Sequence, residues 1–306
     1  MTDRPQLTAL LSNAMLDRLE RLRLVTRLRR ANRSRGEHLA GKGGASTEFC
    51  DYRDYAPGDD TRFVDWNIFS RLHRPYLKQF HHEEERSVAL LVDASASMRF
   101  EQKLERARQL AAAFGMMGLL SQERLSAYAS HQAGEAPERL PPCRGRASLR
   151  RLFAFIESID GGGDAPLERA VEMLLKYHRG RGVCVVLSDF LTFGDLKRGF
   201  NSLHAAGLEP WGIQILGPGE IEPDLTGDVR LVDAETRDTL DVSSAADLMA
   251  MYREYRVGWQ DELARLCQRR SGRFVSISSA EPVETVLLDQ LRRQGWIARV
   301  SAAFNL

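Results

Sequence analysis

From residue 87 onward, short apolar runs that end in aspartate alternate with longer amphipathic segments. Residues 87–93 (SVALLVD) and 183–189 (VCVVLSD) are apolar at nearly every position before the final aspartate. Such runs are typical of strands that are buried on both faces of a sheet. Because helical segments lie between and after them, the pattern predicts βαβ units and a mainly parallel sheet flanked by helices.

Hydrophobic periodicity places the individual elements within this pattern. A strand is expected near residues 125–130, another over 211–216 and a short one over 274–277, with a hairpin over 229–242. Helices are expected over residues 102–120, 147–158, 166–178, 195–206, 245–270 and 282–293.

The N-terminal part of the chain is basic. Residues 1–40 hold nine arginines and four acids, although the 43 Lys and Arg of the whole chain nearly balance its 42 Asp and Glu. Residues 8–33 place leucines and a methionine on one stripe, which predicts an amphipathic helix and hence a basic helical N-terminal extension. We expect this helix to pack on its own domain, with docking of an acidic partner or of nucleic acid through its arginines as the alternative.

Targeting and redox features favour a cytoplasmic protein. The N-terminus has no apolar segment of the signal-peptide type. The most apolar helical stretch, residues 110–120, is shorter than the ~20 residues that span a bilayer, so no membrane association is expected. The four cysteines show no C-x-x-C pair, as expected in a reducing compartment.

Two aspartates mark the expected site, because each directly follows an apolar strand. Asp93 opens the loop D-x-S-x-S with Ser95 and Ser97, and Asp189 follows the later strand. Ligands of open parallel sheets bind at the carboxyl ends of the strands. Carboxylate and hydroxyl oxygens suit Mg²⁺, so the sequence predicts a magnesium site at this edge.

This constellation resembles the metal-ion-dependent adhesion site of von Willebrand factor A domains. The family's G-G-T-x-L-x-x-A motif corresponds to residues 162–170, where Ala165 stands in place of the usual threonine. Because alanine has no ligand oxygen, this position can serve only through its backbone, a water or the neighbouring Asp164. The resemblance implies a von Willebrand A-like α/β fold with a Mg²⁺ site that is incomplete at Ala165.

A second motif lies before the sheet, in residues 49–71 (FCDYRDYAPGDDTRFVDWNIFSR). It closely resembles the signature of a bacterial group known as domain-of-unknown-function family 58. The matching residues are Arg53, Tyr55, Gly58, Asp59, Asp60, Arg62, Asp65, Trp66 and Arg71. The resemblance covers roughly residues 10–295 and implies three regions: the extension 1–40, the signature segment 41–86 and the A-like domain 87–295.

The signature allows two interpretations. Its arginines and aspartates can form ion pairs that fix the segment as a structural clasp, or they can form a recognition surface for a partner. We favour the clasp, in which Trp66 is a packed anchor and Arg62→Ala lowers stability by leaving a carboxylate unpaired.

The family resemblance also implies a function. It implies an interaction protein without enzymatic activity that works with a MoxR-type AAA+ ATPase in assembly or maturation of a client protein. The alternatives are a metal-dependent hydrolase that uses Asp93 and Asp189, and the nucleic-acid binder described above. Metal-stimulated turnover of phosphate esters would favour the hydrolase. DNA binding that weakens steeply with salt would favour the nucleic-acid binder.

Overall fold

The computed structural model describes residues 6–26, 47–82, 86–130, 138–164, 166–191, 195–223, 229–232, 239–242 and 245–300. The chain divides into two compact units. The larger one combines residues 1–27 with 86–306, and the smaller one is residues 28–85. The described residues before position 27 therefore belong to the α/β unit, which differs from the separate extension predicted for residues 1–40.

The elements of the described chain follow the predicted alternation from residue 86 onward. The strands are β1 Leu22–Leu24, β2 Thr47–Asp54, β3 Tyr76–His82, β4 Arg86–Asp93, β5 Arg124–Ser130, β6 Glu138–Cys143, β7 Arg181–Ser188, β8 Leu208–Leu216, β9 Val229–Val232, β10 Thr239–Val242, β11 Arg273–Ser278 and β12 Ile297–Arg299. The helices are α1 Asn13–Leu19, α2 Trp66–Leu72, α3 Lys103–Leu120, α4 Leu149–Ser158, α5 Leu167–Tyr177, α6 Leu196–Ala205, α7 Pro218–Ile221, α8 Ala245–Gln268 and α9 Val283–Thr285, which continues as a π-helical turn over Val286–Leu291.

The central sheet has six strands among the described residues, in the order β11-β8-β7-β4-β5-β6. All neighbouring pairs are parallel except β5 and β6. From β4 the chain first adds β5 on one side and later β7 on the other, so the topological switch point lies between β4 and β7. This confirms the expected open, mainly parallel sheet.

Apolar side chains cover both faces of the sheet. On one face Phe114 of α3 contacts Trp211 of β8, and Trp211 also contacts Trp296. On the other face Phe190 packs against Phe200 of α6. With both faces covered, the strands read as continuous apolar runs, which is why the sequence located them well.

The N-terminal helix predicted over residues 8–33 is much shorter than expected. Helix α1 ends at Leu19, and β1 pairs antiparallel with β12 near the C-terminus. Met15 and Leu19 are buried in the main core. The predicted helix is therefore wrong over residues 8–12 and 20–26, where strand pairing and core burial override the helical periodicity. The residues from position 27 to 46 lie outside the described ones.

The smaller unit contains the signature segment. Strands β2 and β3 form an antiparallel pair with an irregularity between Phe49 and Asp51. A 3₁₀ turn (Thr61–Phe63) and the short helix α2 lie between the two strands in sequence. The ion pairs Arg53–Asp59 and Lys78–Asp65 both lie within this unit.

Strand β6 is an edge of the central sheet and was not predicted. Its sequence ERLPPC contains Pro141 and Pro142, and it pairs only with β5 in the described sheet, with a register shift between Leu125 and Ala127. Proline within a strand is confined to such edges because it lacks an amide hydrogen.

The helices offer no membrane-spanning candidate. Among the residues that the structure describes, none combines the length and the apolar character needed to cross a bilayer.

Candidate functional site

The D-x-S-x-S loop begins where β4 ends and brings its oxygens together. The Ser95 amide donates to Asp93 Oδ1 at 2.9 Å, and the Ser95 and Ser97 hydroxyls lie 3.0 Å apart. The chain then continues as a 3₁₀ segment, Ala96–Gln102. Asp93 and Ser95 are buried and Ser97 is half-buried, so the hydroxyl pair leads from the buried carboxylate toward the surface.

The carboxyl end of β7 lies beside this loop. Because Val92 and Leu187 are register partners, Asp93 reaches Ser188, whose hydroxyl donates to Asp93 Oδ2 at 2.6 Å. Asp189 is 2 % exposed, and its Oδ1 accepts from the Leu191 amide at 3.0 Å. The structure thus brings both predicted aspartates to one edge of the sheet, at the switch point.

Asp93 is a buried carboxylate whose charged neighbour is another acid, Asp189. Burial raises its pKa, and the negative charge of Asp189 raises it further, although hydrogen bonds from Ser188 and Ser95 oppose the shift. No described lysine or arginine forms an ion pair with Asp93. A carboxylate in this environment favours a proton or a cation.

Lys103 is the member of the site that the sequence analysis missed. Its side chain is 0 % exposed, and its Nζ lies 2.8 Å from Asp189 Oδ2 and 2.6 Å from Glu220 Oε1. Burial alone would lower the pKa of the ammonium, but the two carboxylates together raise it above its ordinary value. One signal was available: a lysine at the first position of a helix is disfavoured by the helix dipole unless acids compensate it.

Glu220 connects this ammonium to the short helix α7. Its Oε2 accepts from the Gly217 amide at 2.7 Å, while Oε1 takes the Lys103 ammonium. The carboxylate of Glu101 accepts from the Gly219 amide at 2.8 Å. Helix α7 is therefore fixed by two carboxylates, one of which belongs to the Lys103 cluster.

The glycine-rich loop before α5 packs directly on the D-x-S-x-S loop. The Ala96 amide donates to the Gly163 carbonyl at 2.8 Å, and the Gly162 amide donates to the Ala94 carbonyl at 2.9 Å. Gly162 has a φ of +132°, which favours glycine. Asp164 follows with an exposed side chain, and Ala165 lies outside the described residues.

The residues at the Asp93 side fit a hard cation such as Mg²⁺. Asp93, Ser95 and Ser97 offer a carboxylate and two hydroxyls, the ligand types that Mg²⁺ takes. Asp189 differs from Asp93 in that its charge is already paired with the Lys103 ammonium. Within the described part of the chain no group of three or more His, Cys, Asp or Glu side chains has metal-binding geometry, so a metal here would depend on the serines.

In the signature segment, one arginine and one aspartate form the expected bidentate pair. Arg53 donates to both oxygens of Asp59, at 2.9 and 2.7 Å, and Asp59 also accepts from the Ala56 amide. Gly58 between them has a φ of +105°, and the Tyr55 amide donates to the Pro75 carbonyl. These contacts close the turn at the end of β2.

Asp65 is the better buried acid of the segment, with 6 % exposure. It caps α2 by accepting from the Asn67 and Ile68 amides, and it receives the Tyr52 hydroxyl. Its ion pair is with Lys78, at 3.1 Å, rather than with an arginine as predicted. The hydrogen bond from Lys78 lowers the pKa of Asp65.

Two assumptions behind the clasp interpretation differ from the structure. Arg62 does pair with Asp60, which lowers the pKa of Asp60 to about 2, but the Arg62 side chain is 76 % exposed. An exposed pair contributes little to stability because water screens it. Trp66 is 60 % exposed and contacts Phe69 edge-on, so it is not a packed anchor. Arg71 lies on the exposed surface of α2.

These contacts predict a contrast between two substitutions. We expect Asp65→Ala to lower the melting temperature by roughly 2–4 °C, because it removes the cap of α2. Arg62→Ala is expected to leave the melting temperature unchanged, because its ion pair is exposed. Thermal unfolding of both variants measures the difference. A lower melting temperature in Arg62→Ala alone would reverse this assignment.

The sheet order and the D-x-S-x-S loop at the switch point define an open α/β protein with its candidate site at the carboxyl edge of a mainly parallel sheet. Residues 51–265 match the family described as "Protein of unknown function DUF58". This span exceeds half of the chain, and the chain belongs to that family.

Relatives with curated sequences are found in mycobacteria. An uncharacterized protein of Mycobacterium tuberculosis is 33% identical over 208 residues, which cover 66% of this chain and 65% of the relative. The chain thus spans just under two thirds of that relative's length. An uncharacterized protein of Mycobacterium avium is 30% identical over 166 residues, covering 53% of this chain and 89% of the relative.

Solved structures with a similar arrangement include two bacterial proteins. The conserved hypothetical protein BatB from Bacteroides thetaiotaomicron has a TM-score of 0.42 at 13% identity, covering 68% of this chain and 98% of that one. A von Willebrand factor type A protein from Catenulispora acidiphila has a TM-score of 0.43 at 13% identity, covering 70% of this chain and 43% of that one.

Proposed function

We propose that this protein is a non-enzymatic, Mg²⁺-dependent protein-interaction module. It serves in the cytoplasm as an adaptor between a MoxR-type AAA+ ATPase and a client protein that is assembled or matured. The observation that carries the proposal is the buried Asp93 carboxylate, which faces another carboxylate and has the Ser95–Ser97 hydroxyl pair beside it. The ATPase partner is proposed from the family resemblance of the signature segment.

The chain's own residues would divide the work of capture. Asp93, Ser95 and Ser97 would hold Mg²⁺, which when bound supplies a coordination position for an acidic oxygen of the partner. Ser188 orients Asp93 by donating to Oδ2, which leaves Oδ1 beside the Ser95 amide. The partner is captured only if it interacts differently with the metal-bound and metal-free states, since a ligand without such a preference shifts no equilibrium.

Asp93→Asn tests the metal step. This substitution keeps the shape of the side chain and removes its charge. We expect Mg²⁺ affinity, measured by calorimetric titration, to fall by at least about tenfold, because even changes next to metal ligands cost roughly 10–100-fold. Ala165→Thr, which restores the usual hydroxyl, is expected to bind Mg²⁺ more tightly than the unaltered protein. Equal affinities in all three proteins would refute metal binding at this site.

Partner capture is the second test. The immobilised protein is expected to retain a purified MoxR-type ATPase from the same organism with Mg²⁺ present, and to lose it with EDTA or with Asp93→Asn. The matched control is Asp51→Asn, which removes one carboxylate from the exposed surface of β2. Capture that is the same with Mg²⁺ and with EDTA would contradict a metal-dependent adaptor.

A further inference from the structure

Lys103 occupies a position that opposes the ordinary preferences of a lysine. It is the first residue of α3, where the helix dipole favours negative charge, and its ammonium is completely buried. Buried lysines without compensation tend to lose their charge. The two carboxylates at 2.8 and 2.6 Å supply that compensation, so the ammonium stays charged inside the site.

The charges around Lys103 resemble those around a metal ion. Asp93, Asp189 and Glu220 bring three carboxylates to the carboxyl edge of the sheet, and one cation bridges two of them. Without that cation, Asp189 would face the charge of Asp93 across the switch point with no opposite charge nearby. The ammonium thus neutralises carboxylates that would otherwise repel one another at this edge.

The remaining contacts of Asp189 hold it in this arrangement. Its Oδ1 accepts from the Leu191 amide, and its carbonyl accepts from the Gln214 side chain. Its Oδ2 is the oxygen that binds the ammonium. A cation that enters from the Ser95–Ser97 side therefore meets an Asp189 whose charge is already neutralised.

We propose that the Lys103 ammonium is a resident cation: it takes at Asp189 the role of a divalent ion, keeps the site assembled without metal, and confines bound Mg²⁺ to the Asp93 side. The confinement of Mg²⁺ rests on the proposed function above. The role of Lys103 in assembling the site does not, because it follows from the contacts within the chain alone.

Lys103→Met tests the proposal, because methionine keeps the length and apolar stem of lysine and removes its charge. Thermal unfolding is measured with EDTA and with saturating Mg²⁺. The unaltered protein is expected to be stable in EDTA and to gain from Mg²⁺ only the stabilisation that binding at Asp93 supplies. Lys103→Met is expected to melt lower in EDTA and to recover in Mg²⁺, and to bind Mg²⁺ at least about tenfold more tightly, since Asp189 becomes available as a ligand. Lys176→Met on the exposed side of α5 is the matched control and should show neither effect.

Two outcomes would overturn the proposal: a Lys103→Met protein as stable as the unaltered one in EDTA, or a loss of stability that Mg²⁺ does not relieve. If Lys103→Met does not fold in EDTA, Lys103→Met/Asp189→Asn removes the pair as one neutral unit. That double variant is expected to fold without metal and to gain nothing from Mg²⁺ at Asp189. A double variant that also fails to fold would count against a role based on charge.

The same titrations separate this proposal from the proposed function. If the unaltered protein binds no Mg²⁺ but Lys103→Met does, the resident cation stands and Mg²⁺-dependent capture fails. If the unaltered protein binds Mg²⁺ through Asp93 and Lys103→Met binds it with equal affinity, capture stands and the resident cation fails.

Discussion

Gly182→Ala is expected to lower the free energy of unfolding by more than about 3 kcal/mol, beyond the usual range for added core atoms. Gly182 lies in β7 between β4 and β8, and a Cβ there would meet the Ser87 carbonyl oxygen at 1.8 Å. That oxygen belongs to the backbone of β4, so it cannot move aside as a flexible side chain would. Because β7 ends in Ser188, displacing it would also disturb the site.

Urea unfolding of Gly182→Ala measures this loss, and Gly258→Ala is its matched control. Gly258 lies in α8, and a Cβ at this position would meet no atom of the described neighbours within 4 Å. Alanine there is expected to raise stability by about 0.5–1 kcal/mol, because glycine is the weaker helix former. If Gly182→Ala unfolds at the same urea concentration as the unaltered protein, the close approach of β4 and β7 is wrong.

Glu123→Gln is expected to raise the free energy of unfolding at pH 8 by about 2–3 kcal/mol. Burial raises the pKa of Glu123 from 4.5 to about 7, although Arg86 opposes the shift. Its Oε2 is enclosed and has no hydrogen-bond partner among the described residues. Because the folded-state pKa is raised, the carboxyl destabilises the fold as pH rises from 4.5 to about 7, and the full cost persists above pH 7.

The difference between Glu123→Gln and the unaltered protein isolates this group from all other titrations. It is expected to be largest at pH 8 and to shrink toward zero below about pH 3.5, where the carboxyl is protonated in both states. Glu254→Gln, on the exposed surface of α8, is the control and should give no such pH dependence. A difference that stays constant from pH 4.5 to 8 would show that Glu123 is not shifted.

The fold from residue 86 onward was predictable because burial on both faces leaves an unambiguous pattern. Helix α3 was expected over residues 102–120 and spans Lys103–Leu120, and α8 was expected over 245–270 and spans Ala245–Gln268. The hydrophobic pattern did not reveal β6, most of whose side chains are exposed. Strand β6 contains two prolines and two charged residues, so it lacks the composition of a strand.

The site was predictable only in part, because its residues come from distant positions. Asp93, Ser95 and Ser97 share one loop, and Asp189 follows a recognisable strand. The rule that ligands bind at the carboxyl ends of parallel strands therefore predicted all four. Lys103 and Glu220 meet 117 positions apart, and nothing in their local sequence points to that meeting. The dipole preference marks Lys103 as unusual but cannot name its partners.

The signature segment shows a different limit. The motif allowed the arginines and aspartates to be paired, but sequence does not reveal which pairs are enclosed. Asp65 pairs with Lys78 of β3, whereas Arg62 pairs with Asp60 at the exposed surface. Trp66 lies on a seven-residue helix with apolar residues on several faces, so periodicity could not assign its direction.

The consecutive prolines of β6 restrict how another chain can approach the sheet. Many proteins recognise extended peptides by adding them as a further strand, which requires a continuous row of amide donors and carbonyl acceptors at an edge. Because successive residues of a strand point their amides to opposite sides, Pro141 and Pro142 remove one donor from the free edge and one from the side that faces β5. An incoming peptide, or a second copy of the chain, therefore meets an interrupted row of donors at this edge. Such an interruption disfavours strand addition and edge-to-edge aggregation.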